Sequence, residues 1–226
     1  MSDKVDNGGK NDIQKKNNFL GMIKLGAILA LYSAVACVGL SFVYAGTIKI
    51  IAQRQLDDQE AALKELFPGA NDFVQISDIK SADPLVTIGD SDPDNTGVFA
   101  AIKDGNVIGL ALRTSRGGYG GQIKVFVGVS TDGRISGVKI LEHTETPGLG
   151  ANAASNTYYV DRAKGTRFYD QFTGKNVNDP FEPKQDVIAI TAATITSRAV
   201  AASVKAAGQA ASAWFASGGS IPGVRR

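Results

Sequence analysis

"IKVFVGVSTDGRISGVKIL", residues 123–141, is the stretch that decides the fold. Ile123, Val125, Val127 and Val129 recur at every second position, the period of a strand with one face in a core. Asp132-Gly133 is a hairpin turn pair, and "RISGVKIL" runs back antiparallel to the first strand. Upstream, "VFAAIK" and "VIGLAL" flank Asp104-Gly105 in the same way. Downstream lies a mixed segment, 151–185, which predicts a short helix and turns around "FTGKN" and "NDPFEP". "DVIAI", residues 186–190, then predicts a buried strand. The alanine-rich run after it predicts a helix to about residue 216, with Val200, Val204, Ala207, Ala211 and Trp214 on one face. Strands and helices out of strict alternation indicate an α+β domain: an antiparallel sheet with flanking helices.

The chain has 226 residues, 43% of them hydrophobic, and a net charge of +2. Acids and bases are interspersed, with no long basic run, which argues against nucleic acid as a partner. Cys37 is the only cysteine and His143 the only histidine. Neither a disulfide framework nor a His- or thiol-based metal site is expected. No catalytic acid, base or triad is visible, so redox chemistry would have to reside in a bound cofactor.

Residues 25–48, "LGAILALYSAVACVGLSFVYAGTI", contain no charge and lie between Lys24 and Lys49. As a helix the run is about 36 Å long, against a hydrocarbon core of about 30 Å. A secretory signal peptide is the competing reading, but the run is long for one and lacks a convincing cleavage site. A transmembrane helix is therefore expected over 19–48. Lys4, Lys10, Lys15, Lys16 and Lys24 precede it, which predicts a cytoplasmic N-terminus and an extracytoplasmic C-terminal domain. Residues 1–18 are polar and expected to be disordered. A stalk helix is expected to follow in segment 49–70, stopped by "FPGA" at 67–70. Residues 71–226 form the outer domain, in which 81–97 is loop-like.

"TAATITSRAV", residues 191–200, crowds Thr191, Thr194, Thr196 and Ser197 into the start of the last helix. Free backbone N–H groups and the helix dipole favour an anion there, and the hydroxyls add donors, so one reading is a phosphate site. The other is an over-supplied N-cap. Two glycine-rich loops, "RTSRGGYGG" (113–121) and "HTETPGLGA" (143–151), bracket the central hairpin. Each reads either as an ordinary turn or as a backbone surface that approaches a ligand closely. Arg113, Arg116 and His143 can meet an anion or serve structure alone.

Taken together, "GYGG", "TDGRISGVKI", "EHTETPGLGA" and "TAATITSRAV" resemble, in order, the G subunit of the Rnf electron-transport complex. The resemblance runs from the anchor to the C-terminal helix. It implies FMN joined through its phosphate to a threonine, in a motif of the form Ser/Thr-Gly-Ala-Thr-x-Thr. Residues 191–196 match it, and Thr196 is the implied attachment point. Ala192 stands where the motif has glycine, and Ile188 where many members carry an acid. Around the phosphate the expected cofactor residues are Thr191, Ala193, Thr194 and Ser197. Around the ring they are Tyr119, Glu145, Thr146, Pro147, Gly148, Leu149 and Gly150. Leu149 would cover the ring face and Thr146 bond a ring heteroatom, while Glu145 pairs there or elsewhere.

The implied function is an electron relay in a complex that couples transfer between ferredoxin and NAD to ion movement. The implied partners are the other membrane and iron–sulfur subunits, a flavin transferase during maturation, and lipid of the bacterial inner membrane. Alternatives are the C subunit of the sodium-translocating NADH:quinone oxidoreductase, a non-enzymatic membrane-tethered flavin sensor, and a tether without cofactor.

Overall fold

The computed structural model describes residues 8–76, 79–89, 97–219 and 221. The chain divides into two units, Met1–Asp57 and Asp58–Arg226. The first helix, α1, spans Gly8–Leu66. It begins well inside the tail expected to be disordered: 8–18 are helical, and 1–7 lie outside the described residues.

In the first unit, Met22–Ile48 is long and apolar enough to cross a membrane, with a mean hydropathy of 2.1. At 1.5 Å per residue it measures roughly 40 Å. Its serine and threonine hydroxyls are satisfied within the helix: Ser33 donates to the Leu29 carbonyl, Ser41 to Cys37 and Thr47 to Val43. An apolar medium demands such internal pairing, because it offers the side chain no water.

In the second unit five strands form an antiparallel sheet in the order β1-β3-β4-β5-β6, and β2 pairs beside β3 on β4. They are β1 (Asp72–Gln75), β2 (Thr87–Ile88), β3 (Val98–Lys103), β4 (Asn106–Gly117), β5 (Gln122–Ser130) and β6 (Ile135–Glu142). The hairpins lie where the turn pairs predict, with φ of 51° at Asp104 and 78° at Gly105. β2 falls inside the expected loop 81–97, of which 90–96 lie outside the described residues. The short strands β7 (Tyr159–Asp161) and β8 (Thr166–Arg167) form a separate hairpin.

Both faces of the sheet are covered. On one, Ile123, Val125, Val127 and Val129 join Val200, Val204, Ala207 and Ala211 of α2 (Thr194–Ala216) in one buried cluster, with Phe168 and Phe181 from the intervening loops and Phe172 from a 3-10 turn, Asp170–Phe172. On the other, Phe99, Ala101, Ala111 and Phe126 pack against Ala62, Leu63, Leu66 and Phe67 from the end of α1. This second core follows from small residues in the strands. A Cβ at Gly109 would lie 2.5 Å from the Phe67 ring, and one at Gly137 would lie 3.1 Å from Leu66. Glycine therefore makes the flat seat on which "FPGA" ends the helix.

Two expectations are corrected. β4 runs on to Gly117, so "RTSRG" is strand and only 118–121 turn. "DVIAI" is not a strand; it makes one isolated bridge, Pro183 to Val187. The Gln171 side chain takes the place of a neighbouring strand there, accepting from the Ile188 N–H at 2.7 Å and donating to its carbonyl at 3.1 Å. Asp186 belongs to the preceding turn, accepting from the N–H groups of Phe181 and Glu182 and from the Lys175 ammonium.

Candidate functional site

The hydroxyl cluster at the start of α2 divides its work. No side chain caps the helix; the N-cap position is Ala193, and the residue before it, Ala192, has φ of 61°. That is the left-handed region, where a Cβ is costly and glycine is favoured. The position is the one the family pattern gives to glycine. Ser197 faces inward: its Oγ accepts from the Ile190 N–H at 2.9 Å and donates to the Ala193 carbonyl at 2.9 Å. It closes the turn into the helix. Thr191 and Thr194 are exposed.

Thr196 is 1% exposed, and its Oγ1 donates to Glu145 Oε2 at 2.5 Å. Glu145, 5% exposed, accepts with Oε1 from the N–H groups of Tyr119 and Gly120, both at 2.9 Å. One carboxylate thus ties the β4–β5 turn, the loop after β6 and the first turn of α2. The backbones come close enough that glycine is required. A Cβ at Gly118 would press on Glu145 Oε1, and one at Gly150 would lie 2.6 Å from Thr196 Oγ1. Thr144 adds a bond from its Oγ1 to the Gly120 carbonyl, at 3.0 Å.

Beside this junction is a cavity of about 410 Å³. One wall is Tyr119, Glu145, Thr146, Leu149 and Gly150; the other is 192–196 at the start of α2. The size falls within the roughly 300–1,000 Å³ of small-molecule sites. The rim is apolar and open, with Tyr119 74%, Leu149 41% and Ile195 53% exposed. The first helical hydrogen bond of α2 is Ser197 N–H to the Ala193 carbonyl. The N–H groups of 194–196 precede it, at the positive end of the helix dipole, and these residues line the cavity. An anion fits this end and an apolar ring fits the rim.

Of the residues expected from sequence, Tyr119, Glu145, Thr146, Leu149, Gly150, Ala193, Thr194 and Thr196 line the cavity. Thr191, Pro147, Gly148 and Ser197 are not in its wall; Gly148, with φ of 76°, shapes the turn instead. Ala192 and Ile195 line it without having been expected to. Ala192 sits inside the hydroxyl motif, which was the available signal. Ile195 gave none, since an apolar residue at a helix start reads as core. Arg116 pairs with Asp83 at 2.8 Å, Arg113 lies over the Phe126 ring, and the His143 Nδ1 accepts from the Glu145 N–H. None of these three residues lines the cavity.

The FMN-binding domain family matches residues 118–209, from the β4–β5 turn through most of α2. Full-length comparisons extend further. The chain is 34% identical to the G subunit of the Na(+)-translocating ferredoxin:NAD(+) oxidoreductase complex of Acetobacterium woodii, over 81% of this chain and 88% of that one. It is 30% identical to the G subunit of the proton-translocating ferredoxin:NAD(+) oxidoreductase complex of Clostridium ljungdahlii, over 79% and 85%. It is 31% identical to the G subunit of the ion-translocating oxidoreductase complex of Methanosarcina acetivorans, over 76% and 85%. The chain belongs to the G-subunit family of ion-translocating, Rnf-type oxidoreductase complexes.

Proposed function

We propose that this chain is the membrane-anchored flavoprotein subunit of an Rnf-type complex and that its FMN is held as a phosphoester of Thr196. One observation carries the reading. Tyr119 of the β4–β5 turn, four residues of loop 145–150 and the start of α2, which are far apart in sequence, converge on one cavity with Thr196 in its wall. The N–H groups of 194–196 would hold the phosphate end. Leu149, Ile195 and Tyr119 would flank the ring and limit the water that reaches it, and Thr146 would bond its edge. When bound, FMN supplies the electron transfer, and the protein supplies placement and tuning. The chain contributes to a ferredoxin:NAD relay coupled to ion translocation. Its relatives' names give sodium in one case and protons in another, so family membership leaves the coupling ion open. The lysine-rich N-terminus would be cytoplasmic, the second unit extracytoplasmic and the anchor in the inner-membrane lipid, with a flavin transferase acting before assembly with the other subunits.

The test is denaturing electrophoresis under ultraviolet light. The wild-type band should fluoresce, Thr196→Ala should abolish it, and the flavinylated peptide should carry its mass on Thr196. Flavin found on Thr191 or Thr194 would refute the assignment.

A further inference from the structure

In this reading Thr196 is a nucleophile, yet a threonine hydroxyl is far too weak an acid to lose its proton unaided near neutral pH. Its attack on a phosphorus needs a base at hydrogen-bonding distance, itself held in place by a third group. Both requirements are present. Thr196 Oγ1 donates its proton to Glu145 Oε2 at 2.5 Å, which leaves the oxygen lone pairs free. The Tyr119 and Gly120 N–H groups fix the other carboxylate oxygen at 2.9 Å each. The N–H groups of 194–196 stand at the positive end of α2, beside the same cavity.

We propose that Glu145 is the general base for the protein's own flavinylation, so that the acceptor protein supplies part of the catalytic machinery. This rests on Thr196 being the attachment point. The co-reactant is a flavin dinucleotide, in which FMN is joined to a nucleoside monophosphate through a phosphoanhydride. Thr196 Oγ1 forms a bond to the flavin-side phosphorus while its proton passes to Glu145 Oε2. The anhydride P–O bond breaks, and the nucleoside monophosphate leaves with the electron pair. No oxidation occurs, and the products are the threonine phosphoester, the monophosphate and a protonated Glu145. The protonated carboxyl can then donate to a phosphoester oxygen, which avoids two anions side by side.

Glu145 also holds three segments together, so the test must separate base from brace. Glu145→Gln keeps the size, and its amide oxygen still accepts from Tyr119 and Gly120, but it cannot take a proton. Unmodified full-length protein is mixed with flavin adenine dinucleotide and several excess concentrations of flavin transferase, and the single-turnover rate is followed by in-gel fluorescence. Wild type should label at Thr196. Glu145→Gln should lower the maximal rate about 100-fold or more, keep the transferase concentration that gives half the maximal rate, and melt as wild type does. Glu145→Asp should recover an intermediate maximal rate, and it serves alone should the glutamine variant fail to fold. Wild-type labelling rates in Glu145→Gln, or a loss confined to the half-maximal concentration, would overturn the proposal while leaving Thr196 as the site. Wild-type label on another residue would instead overturn the attachment reading.

Discussion

Ala192 offers a prediction whose sign runs against habit. With φ of 61° it holds an alanine in the left-handed region at the turn into α2. The clash between Cβ and the carbonyl there costs roughly 1–2 kcal/mol. Replacing alanine by glycine removes that cost but adds freedom to the unfolded chain, which opposes folding by about 0.4–1 kcal/mol. Relief is the larger effect, and Ala192→Gly should stabilise the second unit by roughly 1 kcal/mol, or about 2–4 °C in Tm for a domain of this size. Ala193, one residue on, has φ of −130° and is 7% exposed. It carries no such strain, so Ala193→Gly should destabilise by about 0.5–1 kcal/mol or more. The single tryptophan, Trp214, lies near the end of α2 and packs against its core, which makes it a native reporter. Urea unfolding followed by its fluorescence should move the midpoint up for one variant and down for its neighbour. Equal losses of stability in both would refute the strain argument. The glycine variant should keep the Thr196–Glu145 contact and label no more slowly than wild type.

Three further outcomes are expected. Leu149→Ala should leave the flavin attached but shift its absorption spectrum and reduction potential, because water would reach the ring; an unchanged spectrum and potential would make the loop a mere turn. For Asp186, burial pushes the carboxyl up, but hydrogen bonds from the Glu182 N–H, the Lys175 ammonium and the Phe181 N–H outweigh it and hold it below the ordinary value. Its stabilising effect is therefore full above the unfolded value of about 3.9 and is lost as pH falls through the lower folded value. Asp186→Asn should be less stable than wild type at pH 7, with the gap closing below about pH 4; a gap independent of pH would contradict this. A reporter enzyme active only outside the cytoplasm, fused after Arg226, should be active; activity of a cytoplasm-only reporter at that point would reverse the topology.

What could be read from the sequence was what local chemistry decides. The two Asp-Gly hairpins, the alternating β5 and the helix face Val200, Val204, Ala207 and Ala211 each carry their signal within a few residues. "DVIAI" failed because five apolar residues look alike in a strand and in an extended loop; the difference lay in Gln171, whose amide occupies the backbone of Ile188. Ser197 looked like a phosphate donor because nothing in its own stretch shows that the Ile190 N–H needs a partner. The FMN-binding identity came from motif order, and the competing quinone-oxidoreductase identification gives way to membership in the G-subunit family. The pairing of Glu145 with Thr196, 51 positions apart, was beyond any local reading.

The position and openness of the cavity bear on why the proposed covalent bond would be useful. Phe67 packs at Gly109, toward one end of β4, whereas the cavity is built on the turn after Gly117 at the other end. Eight residues of strand separate them, about 27 Å at 3.4 Å per residue. The cavity end of the sheet is thus remote from the packed helix seat, and its rim residues Tyr119, Leu149 and Ile195 are all more than two-fifths exposed. Such a rim leaves that end of the cavity open to water, and the helix dipole adds only about 0.3–1 kcal/mol for a phosphate. Closing the rim would raise affinity but would also hold an electron partner away from the ring. Under the proposed attachment, a phosphoester at Thr196 removes that conflict. Retention rests on one bond at the buried end, and the ring end stays accessible for transfer. Under that same proposal the parts divide: Glu145, Thr196 and the close-packed glycines 118 and 150 would serve the making of the bond, and Leu149, Ile195 and Tyr119 would serve the cofactor once bound.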